Sequence, residues 1–214
     1  MQYTKIRLDF KYGPKNRLYR TLLVKGNPNL FELGVILGTS LGATFEHCFL
    51  FRCHTHCIYV MAPFMEDPMD GYKYLGNYHL EDLPKTFTFE YDTGDGWDFN
   101  CIKYEEKVEI ISKKRLIILE GKGQGIWEDN IHSLSAYFEG EIKSDCSEED
   151  ESRGISKPWN FVIEKFSDFD LPLNLEEMNE TLEEEFLMNY HELLKGENAY
   201  LRETKVNLED FKQG

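Results

Sequence analysis

Thr4-Lys5-Ile6-Arg7-Leu8-Asp9-Phe10-Lys11-Tyr12 is the stretch that decides the fold class. Polar and apolar residues alternate through it with period two, which places Ile6, Leu8, Phe10 and Tyr12 on one face of a half-buried strand. Gly13-Pro14-Lys15-Asn16 punctuates the run, and Leu18 to Val24 reads as its antiparallel partner, so a hairpin opens the chain. A helix from Pro28 to Leu41 follows: Asn27 supplies a capping side chain, Pro28 suits the first helical position, and Leu30, Leu33, Ile36, Leu37 and Leu41 recur at helical spacing. Gly34 and Gly38 inside it each cost roughly 1 kcal/mol relative to Ala. Close packing on a sheet is therefore expected, with Gly42 ending the helix.

Further strands extend the pattern. His47 to Arg52 and Cys57 to Met61 are β-like, and a Pro/Gly/Asp/Met segment at 62–71 reads as a surface loop. Tyr78 to Leu83 suits one helical turn. Thr86 to Tyr91 alternates with its rings on one side, Asp92 to Gly96 is turn chemistry, and Trp97 to Lys107 returns as the partner strand. Leu116 to Leu119 is another short strand, and Ile131, Leu134, Tyr137 and Phe138 suit a short helix capped by Asp129 or Asn130. Asn174 with Glu177 opens an amphipathic helix of about Asn174 to Lys195. The expectation is an α+β fold in three parts: a core at 1–143, an acidic linker at 144–156, and an acidic segment at 157–214 carrying one long helix.

Composition bounds the function. Hydrophobic residues make up 41% of the 214 and aromatics 14%, enough for a ring-rich core. No stretch approaches the roughly 20 apolar residues that span a bilayer, and no signal-peptide pattern opens the chain, so a cytoplasmic protein without membrane contact is expected. The odd set of Cys48, Cys53, Cys57, Cys101 and Cys146 points to free thiols. Of the net charge of −15, residues 144–214 contribute 19 acids against 7 bases, while residues 1–143 are near balance with 20 against 17. Such a field repels phosphate backbones, so general nucleic-acid binding by the whole surface is not expected.

Several constellations invite chemistry. Cys53, His54, His56 and Cys57 are zinc-type ligands, but no second pair follows at knuckle spacing, and a hairpin tip accounts for them; no metal is expected, and no cofactor is expected anywhere in the chain. Asp92, Asp95 and Asp98 beside Trp97 admit an acid/base or cation site, against the plainer reading of a turn held by Asp side chains. Gly121 to Gly125 lacks the spacing of a phosphate loop. Lys103, Lys107, Lys113, Lys114 and Arg115 form a basic run that either contacts phosphates or is an ordinary solvated turn. Glu176, Glu180, Glu183 and Glu184 on the C-terminal helix either face solvent or dock on a basic protein partner.

Phe89-Glu90-Tyr91-Asp92-Thr93-Gly94-Asp95-Gly96-Trp97 resembles the Y-D-F-G-D-x-W-x-H signature of the plasmid Ri ORF-three-like family, whose members are also labelled insertion-element passenger TnpR-like proteins. Glu46-His47-Cys48-Phe49 is similar to that family's H-x-F strand start, and Gly123 to Asp129 to its G-x-x-P-P-E-D segment. The similarity spans about residues 3–140. It implies an α/β roll, a curved antiparallel sheet packed on helices, and singles out His47, Tyr91, Asp92, Gly94, Asp95, Trp97, Glu128 and Asp129. It implies no known activity. Phe99 stands in place of the family's His, and Ile126-Trp127 in place of its Pro-Pro.

The leading functional expectation is therefore a binding or accessory protein, rather than an enzyme, acting through its acidic C-terminal segment on a basic protein partner. One alternative is an accessory of a mobile DNA element contacting DNA through the Lys103 to Arg115 cations. Another is an enzyme or metal-binding protein with an acidic site where the YDTGDGW and GIWED turns meet.

Overall fold

A computed structural model describes residues 1–53, 56–65, 71–142, 147, 151–155, 165–205 and 208. Most of the expected linker at 144–156 lies outside them, as do His54 and Cys146. The chain forms one open sheet in the order β5-β4-β3-β6-β7-β1-β2-β8. These strands are β1 (Gln2–Phe10), β2 (Tyr19–Lys25), β3 (Phe49–Arg52), β4 (Ile58–Val60), β5 (Tyr72–Tyr74), β6 (Thr86–Tyr91), β7 (Trp97–Glu109) and β8 (Leu116–Lys122). Every pairing is antiparallel except β4 with β5. The helices named here are α1 (Leu30–Ser40), α2 (Ile131–Phe138) and α3 (Leu175–Thr204). The α+β class follows as expected.

The opening hairpin forms as its alternation dictates, with Ile6 opposite Leu22 and Leu8 opposite Arg20. Ile6, Leu8 and Phe10 are buried, but the strand stops at Phe10. Tyr12 is 56% exposed instead of continuing the inner face, and its hydroxyl donates to Asp98 at 2.7 Å. The cap of α1 also differs from expectation. Asn29, not Asn27, accepts from the Glu32 amide at 2.8 Å, while Asn27 Oδ1 accepts from the amide of Glu81. Pro28 consequently lies before the helix rather than at its first position.

Gly34 shows why α1 tolerates its glycines. A Cβ there would fall 1.9 Å from the Phe49 ring of β3, and one at Gly38 2.6 Å from the Phe45 ring. A helix apolar on all sides must be covered on all sides, and nearly every residue of α1 is buried. The sheet covers one side and α3 the other: the Phe31 ring lies 6.0 Å from Phe49 and 5.9 Å from Tyr190. Thus α3, longer than the Asn174 to Lys195 reading, is packed on the core. Asn189 donates to Thr39 at 3.3 Å, and Leu182 and Phe186 are buried.

Candidate functional site

Two turns and one strand start converge at the end of the β3–β6 pair. Phe49 pairs with Tyr91, and the Asp92 amide donates to the Cys48 carbonyl at 2.9 Å, so the ladder itself sets His47 beside Asp92. From the other direction the 123–129 loop is pinned to the end of α1. Ile126 donates to the Leu41 carbonyl at 2.9 Å, and Gly125, with φ of 110°, leaves room where a Cβ would sit 2.1 Å from that same oxygen. Trp127 anchors the loop in the core between Phe166 and Phe169. Glu128 is thereby delivered beneath Thr44, whose amide donates to its Oε1 at 2.8 Å.

Tyr91 holds Glu128 from the sheet side. Its hydroxyl lies 3.0 and 3.1 Å from the two Glu128 oxygens and accepts from the Phe45 amide at 3.0 Å. Burial, and then the Glu128 charge, drive that hydroxyl far above the ordinary tyrosine range, so it remains a donor. His47 packs edge-on against the Tyr91 ring and meets three carboxylates: Nδ1 is 3.7 Å from Asp92 Oδ1, and Nε2 is 4.0 Å from Glu128 Oε2 and 3.1 Å from Asp129 Oδ1. One ligand atom from each of His47, Asp92 and Asp129 lies within 4.8 Å of the other two.

Burial grades across this cluster. The Glu128 side chain is 1% exposed, Asp92 5%, His47 29% and Asp129 68%, so the site opens to solvent on the Asp129 side. Asp92 and Asp129 both adopt left-handed backbone, φ 52° and 53°, a region Asp tolerates better than most residues. Asp92 has a divided role. Its Oδ1 accepts from the amides of Gly94 and Asp95 at 3.0 and 3.2 Å, which makes the turn, while its Oδ2 is buried without a hydrogen-bond partner. His47 Nε2 is likewise buried without a hydrogen bond, though 3.1 Å from Asp129 Oδ1.

The structure thus joins His47, Tyr91, Asp92, Glu128 and Asp129, and gives the remaining motif residues other tasks. Asp95 Oδ2 accepts from the first amide of α2, Ile131, at 3.1 Å, whereas Asn130 at the cap position makes no side-chain cap bond. Trp97 is wholly buried against Phe10, and Gly94 serves the turn. Asp98 faces away toward Lys11 and Tyr12. Phe99 is buried in the sheet's ring cluster, 5.6 Å from Phe10. The contribution of the Thr44 and Phe45 amides had no sequence signal, because a backbone donor leaves no trace in residue type.

The other sequence candidates disperse. Among the described residues, Cys53, His56 and Cys57 do not join a metal-ligating group, and Cys48, Cys53, Cys57 and Cys101 are free thiols. Lys103 donates to the carbonyls of Leu80, Glu81 and Leu83, and Lys107 to Thr4 Oγ1. Lys114 reaches the Asn179 carbonyl, and Arg115 pairs with Glu32 and Glu183. Lys113 is exposed, as are Glu176, Glu180 and Glu184, whereas Glu183 is half-buried and also accepts from the Arg115 amide. No helix among the described residues is long and apolar enough to cross a membrane.

The fold and this cluster define an α+β protein with an acidic, histidine-bearing side-chain cluster at one end of its β3–β6 pair. The chain belongs to the plasmid pRiA4b ORF-3-like protein family, whose model matches residues 3–170 and so runs past the 3–140 read from the motifs. The fold is similar to the crystal structure of a protein of unknown function from Methanosarcina mazei Go1, with a TM-score of 0.52 at 16% identity, covering 71% of this chain and 86% of that one. No curated protein gives a significant match.

Proposed function

We propose that this protein binds a divalent cation of the first transition row between His47, Asp92 and Asp129, with Glu128 fixed directly behind them. The observation that carries the reading is Asp92 Oδ2, a buried carboxylate oxygen with no donor, in a cluster whose imidazole Nε2 is also without a hydrogen bond. Leaving a buried polar group unsatisfied costs about 1–3 kcal/mol, and more for a charge. Among the described residues no Lys or Arg pairs with Asp92, Glu128 or Asp129; their ion-pair contacts run to His47. A dication offsets both the orphaned atoms and the accumulated negative charge.

Distances support the same reading. With metal–ligand bonds of about 2.1 Å, ligand atoms stand at most about 4.2 Å apart. The observed limit of 4.8 Å closes by a small inward swing of Asp129, the most exposed of the three. One imidazole with carboxylates and no thiolate suits Mn²⁺, Fe²⁺ or Zn²⁺ over Cu⁺. Three protein ligands leave coordination positions open to water or a substrate oxygen. DNA contact draws less support, because Arg115, Lys103, Lys107 and Lys114 are occupied within the molecule; of the acidic candidates for a basic partner Glu183 is paired with Arg115, while Glu176, Glu180 and Glu184 are exposed.

Calorimetric titration of chelator-stripped full-length protein with Mn²⁺ and Zn²⁺ tests the reading. One ion per chain is expected. His47→Ala and Asp92→Asn, the latter able to keep the turn through its amide oxygen, each weaken binding well beyond tenfold. Tyr91→Phe, which frees Glu128 and the Phe45 amide but leaves the three ligands in place, weakens it about tenfold. Undiminished binding by the His47 and Asp92 variants, with native circular dichroism, would overturn the reading.

A further inference from the structure

The β3–β4 hairpin carries a second chemical feature, independent of the acidic cluster. The last ladder pair is Arg52 opposite Ile58, and beyond it the Cys53 amide donates to the Cys57 carbonyl at 2.9 Å. Cys53 and Cys57 therefore continue the register as a hydrogen-bonded pair. Residues opposite one another in an antiparallel pair share a face, with Cα atoms about 5.5 Å apart. That separation lies within the range of roughly 4.4–6.8 Å that a disulfide requires. Both side chains are half-buried and pack against the same core cluster.

The tip is held on its far side. Ile58 donates to the Gly71 carbonyl at 3.1 Å, and Gly71, φ 90°, lies against the His56 carbonyl so closely that a Cβ would approach it to 2.6 Å. His56 itself is left-handed at φ 61°. The register thus sets Cys53 and Cys57 side by side on one face, where the start of β4 is held to Gly71. Cys101, in contrast, is 1% exposed inside the sheet.

We propose that Cys53 and Cys57 are a redox pair that closes reversibly into an intramolecular disulfide when it meets a low-molecular-weight disulfide. One cysteine, as thiolate, attacks the oxidant's S–S bond and releases the first small thiol. The other cysteine then attacks the mixed disulfide and releases the second. One S–S bond forms in the protein and one breaks in the oxidant; two electrons and two protons pass from the cysteine pair to the two released thiols. Burial, and next the neighbouring Cys57, push the Cys53 thiol up to about 11, so little of it is thiolate at neutral pH and the exchange is slow.

The test equilibrates native full-length protein with mixtures of reduced and oxidised glutathione, quenches with acid, alkylates, digests and weighs the peptide carrying both cysteines. That peptide is expected to become unalkylated and two hydrogens lighter as oxidised glutathione rises, and to return to doubly alkylated when reduced glutathione is added. In Cys53→Ser and Cys57→Ser the remaining cysteine is recovered alkylated or as a glutathione adduct, and Cys101 stays a thiol throughout. Independent alkylation of both cysteines at every ratio, a bridge that forms only in urea, or one that resists reduced glutathione would each overturn the proposal.

Discussion

The side-chain amide of Asn179 is hydrogen-bonded to both backbone groups of Ile118: its Oδ1 accepts from the Ile118 N–H at 2.8 Å, and its Nδ2 donates to the Ile118 carbonyl at 2.9 Å. Strand β8 is the outer edge of the sheet, and exposed edges are templates for pairing with other chains. Helix α3 therefore completes the sheet with one asparagine, where a further strand would use its backbone. The same helix offers Glu183 to the Arg115 amide one turn along.

Asn179→Ala removes both bonds at once and uncovers the edge. A loss of about 1–2 kcal/mol is expected, seen as a lower urea midpoint with unchanged slope, together with light scattering that grows with protein concentration. An unchanged midpoint would show that water replaces the amide.

Deleting residues 175–214 removes the helix that covers Phe31 and the outer side of α1, in addition to the Asn179 contact. The truncated chain is expected to lose cooperative unfolding in urea and to bind a hydrophobic dye, because an all-apolar helix would face water. Retention of a sharp transition would show that residues 1–174 suffice for folding.

Glu197 gives a pH signature. It is 3% exposed, accepts from the Ala62 amide at 2.7 Å, and burial raises its pKa above the ordinary glutamate value. A raised folded-state pKa means the folded protein holds the proton more tightly. The resulting stabilisation is complete below the unfolded value and is lost as pH climbs through the folded one. Glu197→Gln, neutral at every pH, should therefore raise the melting temperature relative to wild type at pH 7, and the difference should shrink toward pH 4.5. A difference constant over that range would refute the shift.

The strands were legible because each is a local pattern: Ile6-Leu8-Phe10 and Phe87-Phe89-Tyr91 alternate, and those residues are buried as the alternation requires. The glycines of α1 announced close packing for the same reason. The cap and strand ends were not, since Asn27 and Asn29 are equally good caps by residue type, and only the competing bond from Glu81 to Asn27 distinguishes them. Of the candidate site, the family motifs supplied His47, Asp92, Glu128 and Asp129 as letters in three separate segments. No periodicity relates residue 47 to residue 128, and Asp95 looked as eligible as Asp92 until its carboxylate was found on the Ile131 amide.

From sequence alone come the α+β class, the opening hairpin, the ring-rich core and the asymmetry of charge, all consequences of residue type and near-neighbour spacing. Tertiary structure alone decided that the acidic C-terminal segment contains a helix built into the fold, and that one imidazole and three carboxylates meet. Both depend on contacts between residues tens of positions apart, whose free energy comes from burial and pairing that local spacing does not encode.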